Sequence, residues 1–295
     1  MKKPLAGALL TLALLGLGAA PAAATAVPAP ASAPAAAPAL PSAAAPAASA
    51  AVTVDFAGTV ALSNCSGSVV RLPRSQPDDR ALVLSNGHCL EGGMPGPGVV
   101  VVNRPSTRSF TLLNSSGRGV ATLRAGKIAY ATMTDTDVSL YELTSTYRQI
   151  EDRYRIRALE LDTARPAQGT AVKVVSGYWK RIYSCSVDGF AYRLKEGDWT
   201  WKDSIRYTSA CDTIGGTSGS PVIDTATGKV VAVNNTGNED GGRCTVNNPC
   251  EVDANGTVTV RPGINYAQQT YTIAPCVGAG NRIDLGLPGC TLPKP

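Results

Sequence analysis

The sequence predicts an all-β protein, and three observations carry that expectation. Beyond residue 51, short runs rich in Val, Ile, Thr and Tyr alternate with Gly, Pro, Asn and Asp at a spacing suited to strands and turns. Helical periodicity is scarce, with Arg148 to Leu159 giving one mixed signal that reads as a loop or a short helix. No internal repeat divides the chain into modules. The expected strands run, in order, over Ala57 to Leu62, Ser66 to Arg71, Ala81 to Ser85, Val99 to Asn103, Val120 to Ala131 and Val138 to Leu143. They resume over Ala171 to Ser176, Tyr183 to Tyr192, Ser220 to Asp224, Val230 to Asn234, Gly256 to Val260 and Tyr271 to Ile273. Many short strands of this kind build a sandwich or a barrel.

The first 26 residues have a different character. Lys2 and Lys3 precede an apolar run from Leu5 to Leu17, followed by small residues with A-x-A-like sites ending at Ala20, Ala24 and Ala26. This is the layout of a secretory signal peptide, and the run is shorter than the roughly 18 residues a bilayer-spanning helix needs. Residues 27–51 are almost wholly Ala, Pro and Ser, without charge or aromatic residues. Such a stretch buries too little surface to offset its ordering entropy and reads as a disordered leader or pro-segment. Residues 52–295 are long enough for one two-lobed β domain or two small ones.

Charge and cysteine content narrow the function classes. Two of the 27 basic residues lie in the signal, leaving 25 against 22 acidic ones, with no basic run and no aromatic-rich RNA-binding signature. Nucleic-acid binding therefore has no support. All eight cysteines follow residue 51, and an even number in an exported chain predicts disulfides. There is no C-x-x-C, and a single histidine cannot build the usual zinc sites, so neither metal nor cofactor is expected.

Chemistry concentrates in three places. Gly215-Gly216-Thr217-Ser218-Gly219-Ser220-Pro221 centres one hydroxyl in a glycine-dense turn before the apolar Val222-Ile223. A serine nucleophile needs an exposed Oγ, and an oxyanion needs converging backbone N–H groups; glycine neighbours permit both. Serine is a poor nucleophile at neutral pH without a base, and if that base is a histidine it must be His88, presented by Leu82-Val83-Leu84-Ser85-Asn86-Gly87-His88-Cys89. A third group should accept from the other imidazole nitrogen and fix its tautomer. Asp137, opening Asp137-Val138-Ser139-Leu140-Tyr141-Glu142-Leu143, is the candidate; Asp135, on the same side of an extended strand, is its competitor.

The order His, Asp, Ser, with these strings, resembles the chymotrypsin-like serine proteases. Val83 to Cys89 resembles that family's "VLTAAHC", Asp137 to Leu143 its "DIALLKL", and Gly216 to Pro221 its "GDSGGP". The resemblance implies two six-stranded antiparallel β-barrels with the active site in the cleft between them, and peptide bonds as substrate. It implies Ser218 as nucleophile, His88 as base and then acid, Asp137 as orienting carboxylate, and the N–H groups of Gly216 and Ser218 as oxyanion hole. Cys65, in a string resembling "CGGSLI", is thereby paired with Cys89. Nearness in sequence alone pairs Cys185 with Cys211, Cys244 with Cys250 and Cys276 with Cys290.

The departures from the family concern activation and specificity. Thr217 stands where animal proteases carry the aspartate that binds a new N-terminus, and Asp212 to Pro221 is spelled more like the bacterial glutamyl endopeptidases of the V8 type. Asp212, six residues before Ser218, occupies the position of trypsin's pocket-floor aspartate, where a buried carboxylate would select Arg or Lys. In the strand matching the V8-type pocket, Asn234 replaces a histidine, and Asn235 and Thr236 complete the candidate pocket wall. The expected partners are protein or peptide substrates, with no membrane anchor and a monomeric state. The competing readings are a catalytically silent homologue serving as an extracellular binding module, and an esterase on the same fold.

Overall fold

A computed structural model describes residues 52–295; the expected signal peptide and leader lie outside the described residues. The first barrel takes its strands from β1 (Thr59–Ala61), β2 (Ser66–Arg71), β3 (Arg80–Ser85), β4 (Val100–Pro105), β5 (Ser109–Leu113), β6 (Gly119–Thr132) and β7 (Val138–Thr146). Six of these pair in the order β1-β5-β6-β7-β3-β2, and β2 pairs back to β1, so the ring closes and leaves no free edge; β4 lies outside it, against β6. Every pairing in the ring is antiparallel.

A helix, α1 (Tyr147–Tyr154), follows β7, where the sequence left a loop or short helix. Its start is fixed by a capping box in which the Thr146 hydroxyl accepts from the Gln149 N–H and the Gln149 side chain accepts from the Thr146 N–H. A two-residue strand, β8 (Leu159–Glu160), runs parallel to β2 and leads out of the barrel.

The second barrel comprises β9 (Ala171–Ser176), β10 (Arg181–Glu196), β11 (Trp199–Tyr207), β12 (Pro221–Asp224), β13 (Val230–Gly237) and β16 (Asn265–Gln269). The order β11-β16-β13-β12-β9-β10 closes through a β10–β11 pairing. Two short strands, β14 (Cys250–Val252) and β15 (Val258–Val260), extend from β10 as an outlying hairpin. Tyr271 to Ile273, expected as a strand, is instead a turn leading into a 3-10 segment, and the closing strand is β16 just before it. All five β16 residues are buried although four of them are polar or phenolic, so apolar patterning cannot reveal it.

Each barrel has its own interior. Phe110, Leu112, Leu123, Val83 and Tyr141 fill the first, and Val172, Val174, Ile205, Tyr207 and Val222 fill the second. A third apolar cluster unites outer faces of both, with Leu82, Leu84 and Leu140 from one barrel meeting Val175, Ile223 and Val233 from the other. Truncating a Leu in such a core to Ala costs about 2–5 kcal/mol. The chain end packs onto this seam: Leu292 is buried there, and the Tyr130 hydroxyl donates to the Pro293 carbonyl at 3.0 Å. Four disulfides join Cys65–Cys89, Cys185–Cys211, Cys244–Cys250 and Cys276–Cys290, and no described cysteine is free.

Candidate active site

The first barrel contributes a histidine and an aspartate held almost without freedom. β3 is followed by Asn86 and a single 3-10 turn, Gly87–Cys89, that carries His88. The turn passes so close to β6 that a Cβ on Gly87 would lie 2.2 Å from the Thr132 carbonyl, so only glycine fits. The Cys65–Cys89 bond ties the far end of the turn to the entrance of β2. Asp137, immediately before β7, is fully buried; its Oδ2 accepts from His88 Nδ1 at 2.7 Å and its Oδ1 from the His88 N–H at 3.1 Å. Asn86 Nδ2 donates to the Asp137 carbonyl, and Ser139 Oγ to the Asn86 carbonyl, both at 2.8 Å.

The structure brings Asp137 and not Asp135 to the imidazole. Asp135 has a left-handed φ of 59°, which breaks the extended alternation that would have kept the two carboxylates on one side. It turns outward to Lys202 Nζ at 2.6 Å. Burial pulls the His88 pKa down, but the charge of Asp137, the hydrogen bond to it and the charge of Glu196 outweigh that, leaving it above the ordinary imidazole value.

The second barrel contributes the serine loop. Thr217 N–H closes a four-residue turn on the Ile214 carbonyl at 3.0 Å, with Gly216 in third place at φ 87°, the sign a type II turn requires. Trp179 Nε1 donates to the Gly215 carbonyl at 2.7 Å and fixes the facing of that peptide. Among the described residues the N–H groups of Gly216 and Ser218 have no acceptor, so both remain able to bind an anionic oxygen. Gly219, at φ 80°, lies against the first barrel: a Cβ there would stand 2.1 Å from the Ser66 carbonyl and 2.3 Å from Ser85 Oγ. The Ser66 N–H also donates to the Ser218 carbonyl at 2.8 Å, so the loop is keyed into both barrels.

Thr217, in place of an aspartate, is buried and braces the loop from within. Its Oγ1 donates to the Ile214 carbonyl at 2.5 Å and accepts from Asn234 Nδ2 at 3.1 Å. Ser218 Oγ donates to the Asn235 carbonyl at 3.2 Å rather than to His88.

His88 and Ser218 line one cleft. Asn234, Asn235 and Thr236 also line it, though the Asn234 side chain is engaged inside the barrel by Thr217 and the Tyr207 hydroxyl. Asp212, expected on the pocket floor, is exposed and outside the lining; Thr213 faces the cleft instead, with its hydroxyl on Asn265 at 2.8 Å. The reason is local: Cys211 is buried in the second barrel core by its bond to Cys185, and the alternation then turns Asp212 outward and Thr213 inward. Sequence reasoning missed Glu196, the last residue of β10, which is only 7% exposed and lines the same cleft. Burial raises its carboxyl above the ordinary value, with Thr236, the Asn247 N–H and His88 pulling the other way.

Cys65, His88 and Cys89 bring potential metal ligands within 4.8 Å of one another, but both sulfurs are spent in a disulfide. Two closed β-barrels with a carboxylate–imidazole pair facing a serine loop define the trypsin-like class of serine proteases. The chain belongs to the trypsin-like peptidase domain family, whose profile matches residues 65–233. Among solved structures it is similar to the MamO protease domain from Magnetospirillum magneticum, at 13% identity over 74% of this chain and 95% of that one, with a TM-score of 0.46. It is also similar to the active form of the Rv3671c protease from M. tuberculosis (15% identity, 82% and 85% covered, TM-score 0.46). A third similarity is to the Nocardiopsis protease NAPase (11% identity, 73% and 93% covered, TM-score 0.41). No curated protein matches the chain significantly.

Proposed function

We propose that this chain is a secreted serine endopeptidase of the bacterial V8-like branch. Residues 1–26 serve as signal peptide, 27–51 as leader and 52–295 as the protease domain. The observation that carries the reading is the 2.7 Å Asp137–His88 pair set across one cleft from Ser218. His88 Nε2 takes the Ser218 proton as Oγ attacks the scissile carbonyl carbon, and Asp137 stabilises the imidazolium. The Gly216 and Ser218 N–H groups receive the charge that develops on the carbonyl oxygen. Collapse of the adduct breaks the C–N bond as His88 returns its proton to the leaving amine. Water then repeats the sequence on the acyl-enzyme and restores Ser218. The serine must first rotate away from the Asn235 carbonyl, a loosening common in unliganded sites.

That same engagement of the hydroxyl with the Asn235 carbonyl favours the second reading, a silent homologue that binds peptides without cutting them. Incubation of the mature protein with casein, with and without a serine-directed covalent inhibitor, separates the two. Cleavage abolished by the inhibitor, with the label on Ser218, is the expected result. Neither cleavage nor label supports the silent reading. The four disulfides accord with an extracellular destination, and none of the described helices is long and apolar enough to cross a membrane.

A further inference from the structure

The cleft contains a carboxylate that the peptidase chemistry does not use. Glu196 ends β10 at the tip of the long β10–β11 hairpin, and its Oε1 accepts the Asn247 N–H at 2.8 Å. Its Oε2 is buried and makes no hydrogen bond of ordinary geometry among the described residues, though the Thr236 hydroxyl stands near the carboxyl, and no lysine or arginine there pairs with it. The position is built rather than incidental. The Cys244–Cys250 bond closes a small loop that presents Asn247 to Glu196, and the Gly197 N–H at the hairpin tip donates to the Cys244 carbonyl at 2.8 Å. Asn235, 3% exposed, faces the same cleft with both amide atoms unpartnered among the described residues. Around them Met94, Trp199 and Val246 supply apolar walls.

A buried carboxylate oxygen without a donor is an unfavourable arrangement that a bound cation would relieve. Apolar walls ending in an acceptor suit a side chain with an aliphatic stem and a charged head. We propose that Glu196, helped by the Asn235 amide oxygen, forms a subsite for an arginine or lysine side chain of the substrate, at a position flanking the scissile bond. Recognition of basic residues then comes from the β10–β11 hairpin and not from Asp212. This rests on the peptidase reading for its consequence in turnover, though not for the binding itself.

Two measurements on the full mature chain test it. Peptide libraries that vary each position around the cut should show Arg and Lys preferred over Gln and Leu by about tenfold or more at one position in the wild type. That preference should vanish in Glu196→Gln, whose thermal unfolding midpoint should match the wild type. A wild type without basic preference, or a variant that retains it, overturns the subsite. Calorimetric titration with benzamidinium needs no turnover, and its affinity should fall about tenfold in Glu196→Gln. Equal binding to both, or none to the wild type, also overturns the proposal. Binding that depends on Glu196 in a protein whose Ser218 takes no label would leave the subsite standing and remove the peptidase reading.

Discussion

The two walls of the cleft differ in how many of their polar side-chain atoms are left open. On the first barrel, both Asp137 oxygens accept from His88, and Asn86 and Ser139 lock the backbone behind them. On the second, Glu196 Oε2, both Asn235 amide atoms and two backbone N–H groups have no partner among the described residues. Natural folds leave few such atoms; Asn86 Oδ1 on the first wall is also unpartnered among the described residues, against three side-chain atoms on the second. On the peptidase reading the first wall holds the proton path, and the second keeps more valences open for whatever enters. The first barrel then supplies the imidazole and its carboxylate, and the second the serine loop together with the open valences for recognition.

Substitutions can break this comparison, and the largest effect should come from Ser218→Ala. Turnover of a peptide substrate should fall on the order of 10⁶-fold with thermal unfolding unchanged, since one hydroxyl at the cleft edge adds little to the core. Retained proteolysis would end the assignment of roles. Asp137→Asn should lower kcat by about 10⁴-fold through the wrong imidazole tautomer. Asp135→Asn should change kcat less than about twofold, losing only a half-exposed pair with Lys202 worth about 0.2–1 kcal/mol. The reverse ranking in steady-state kinetics would move the role to Asp135.

The disulfides should also divide between the walls. By loop-closure entropy, losing Cys65–Cys89, 24 residues apart, should cost about 3 kcal/mol in denaturant unfolding and lower kcat, because the bridge abuts His88. Losing Cys244–Cys250, only 6 apart, should cost about 2 kcal/mol and change substrate selectivity more than kcat. Equal effects of both on kcat would erase the distinction.

The smallest effect is in pH dependence. The base must be neutral, so the acid limb of the kcat/KM profile should lie above the ordinary imidazole pKa of about 6.5, and Glu196→Gln should move it down by removing one of the charges that raise it. The sign for stability is opposite. A raised folded-state pKa contributes stability that is fully present below the unfolded value and is lost as pH rises through the folded one. A limb unmoved by Glu196→Gln would show that the two walls are electrostatically independent.

The three strings around His88, Asp137 and Ser218 were far more legible in the sequence than the Glu196 side of the cleft. Ser66 to Arg71 and Ala171 to Ser176 coincide with β2 and β9, because β-branched runs with clear punctuation identify themselves. His88, Asp137 and Ser218 stand out because their strings have a unique histidine, a strand-opening carboxylate and a glycine-dense turn. β5 and β11 were missed although Phe110 and Leu112, and Trp199, Trp201, Ile205 and Tyr207, keep the period of two. β14 is three residues long, too short for any period to show. The capping box at Thr146 and Gln149 was likewise readable and decides the helix. Glu196 had no local signal at all: its burial depends on Asn247, 51 residues later, and on a disulfide loop that brings the two together. Asp212 misled because a motif fixes spacing along the chain, whereas its facing is set by Cys211 and Thr213 on either side, both turned inward.

The keying of Gly219 against Ser66 and Ser85 has a consequence for the life history of the chain. A ribosome-fresh polypeptide with only its N-terminal half folded owns the imidazole and the carboxylate but no hydroxyl to activate. A detached C-terminal half owns the hydroxyl but not the ledge on which its loop rests. On the peptidase reading, hydrolytic power then resides in neither fragment, and a single cut between the barrels that lets them part would extinguish it. Completion of folding acts as the molecule's safety catch, holding the reagent harmless in pieces and arming it only as a whole.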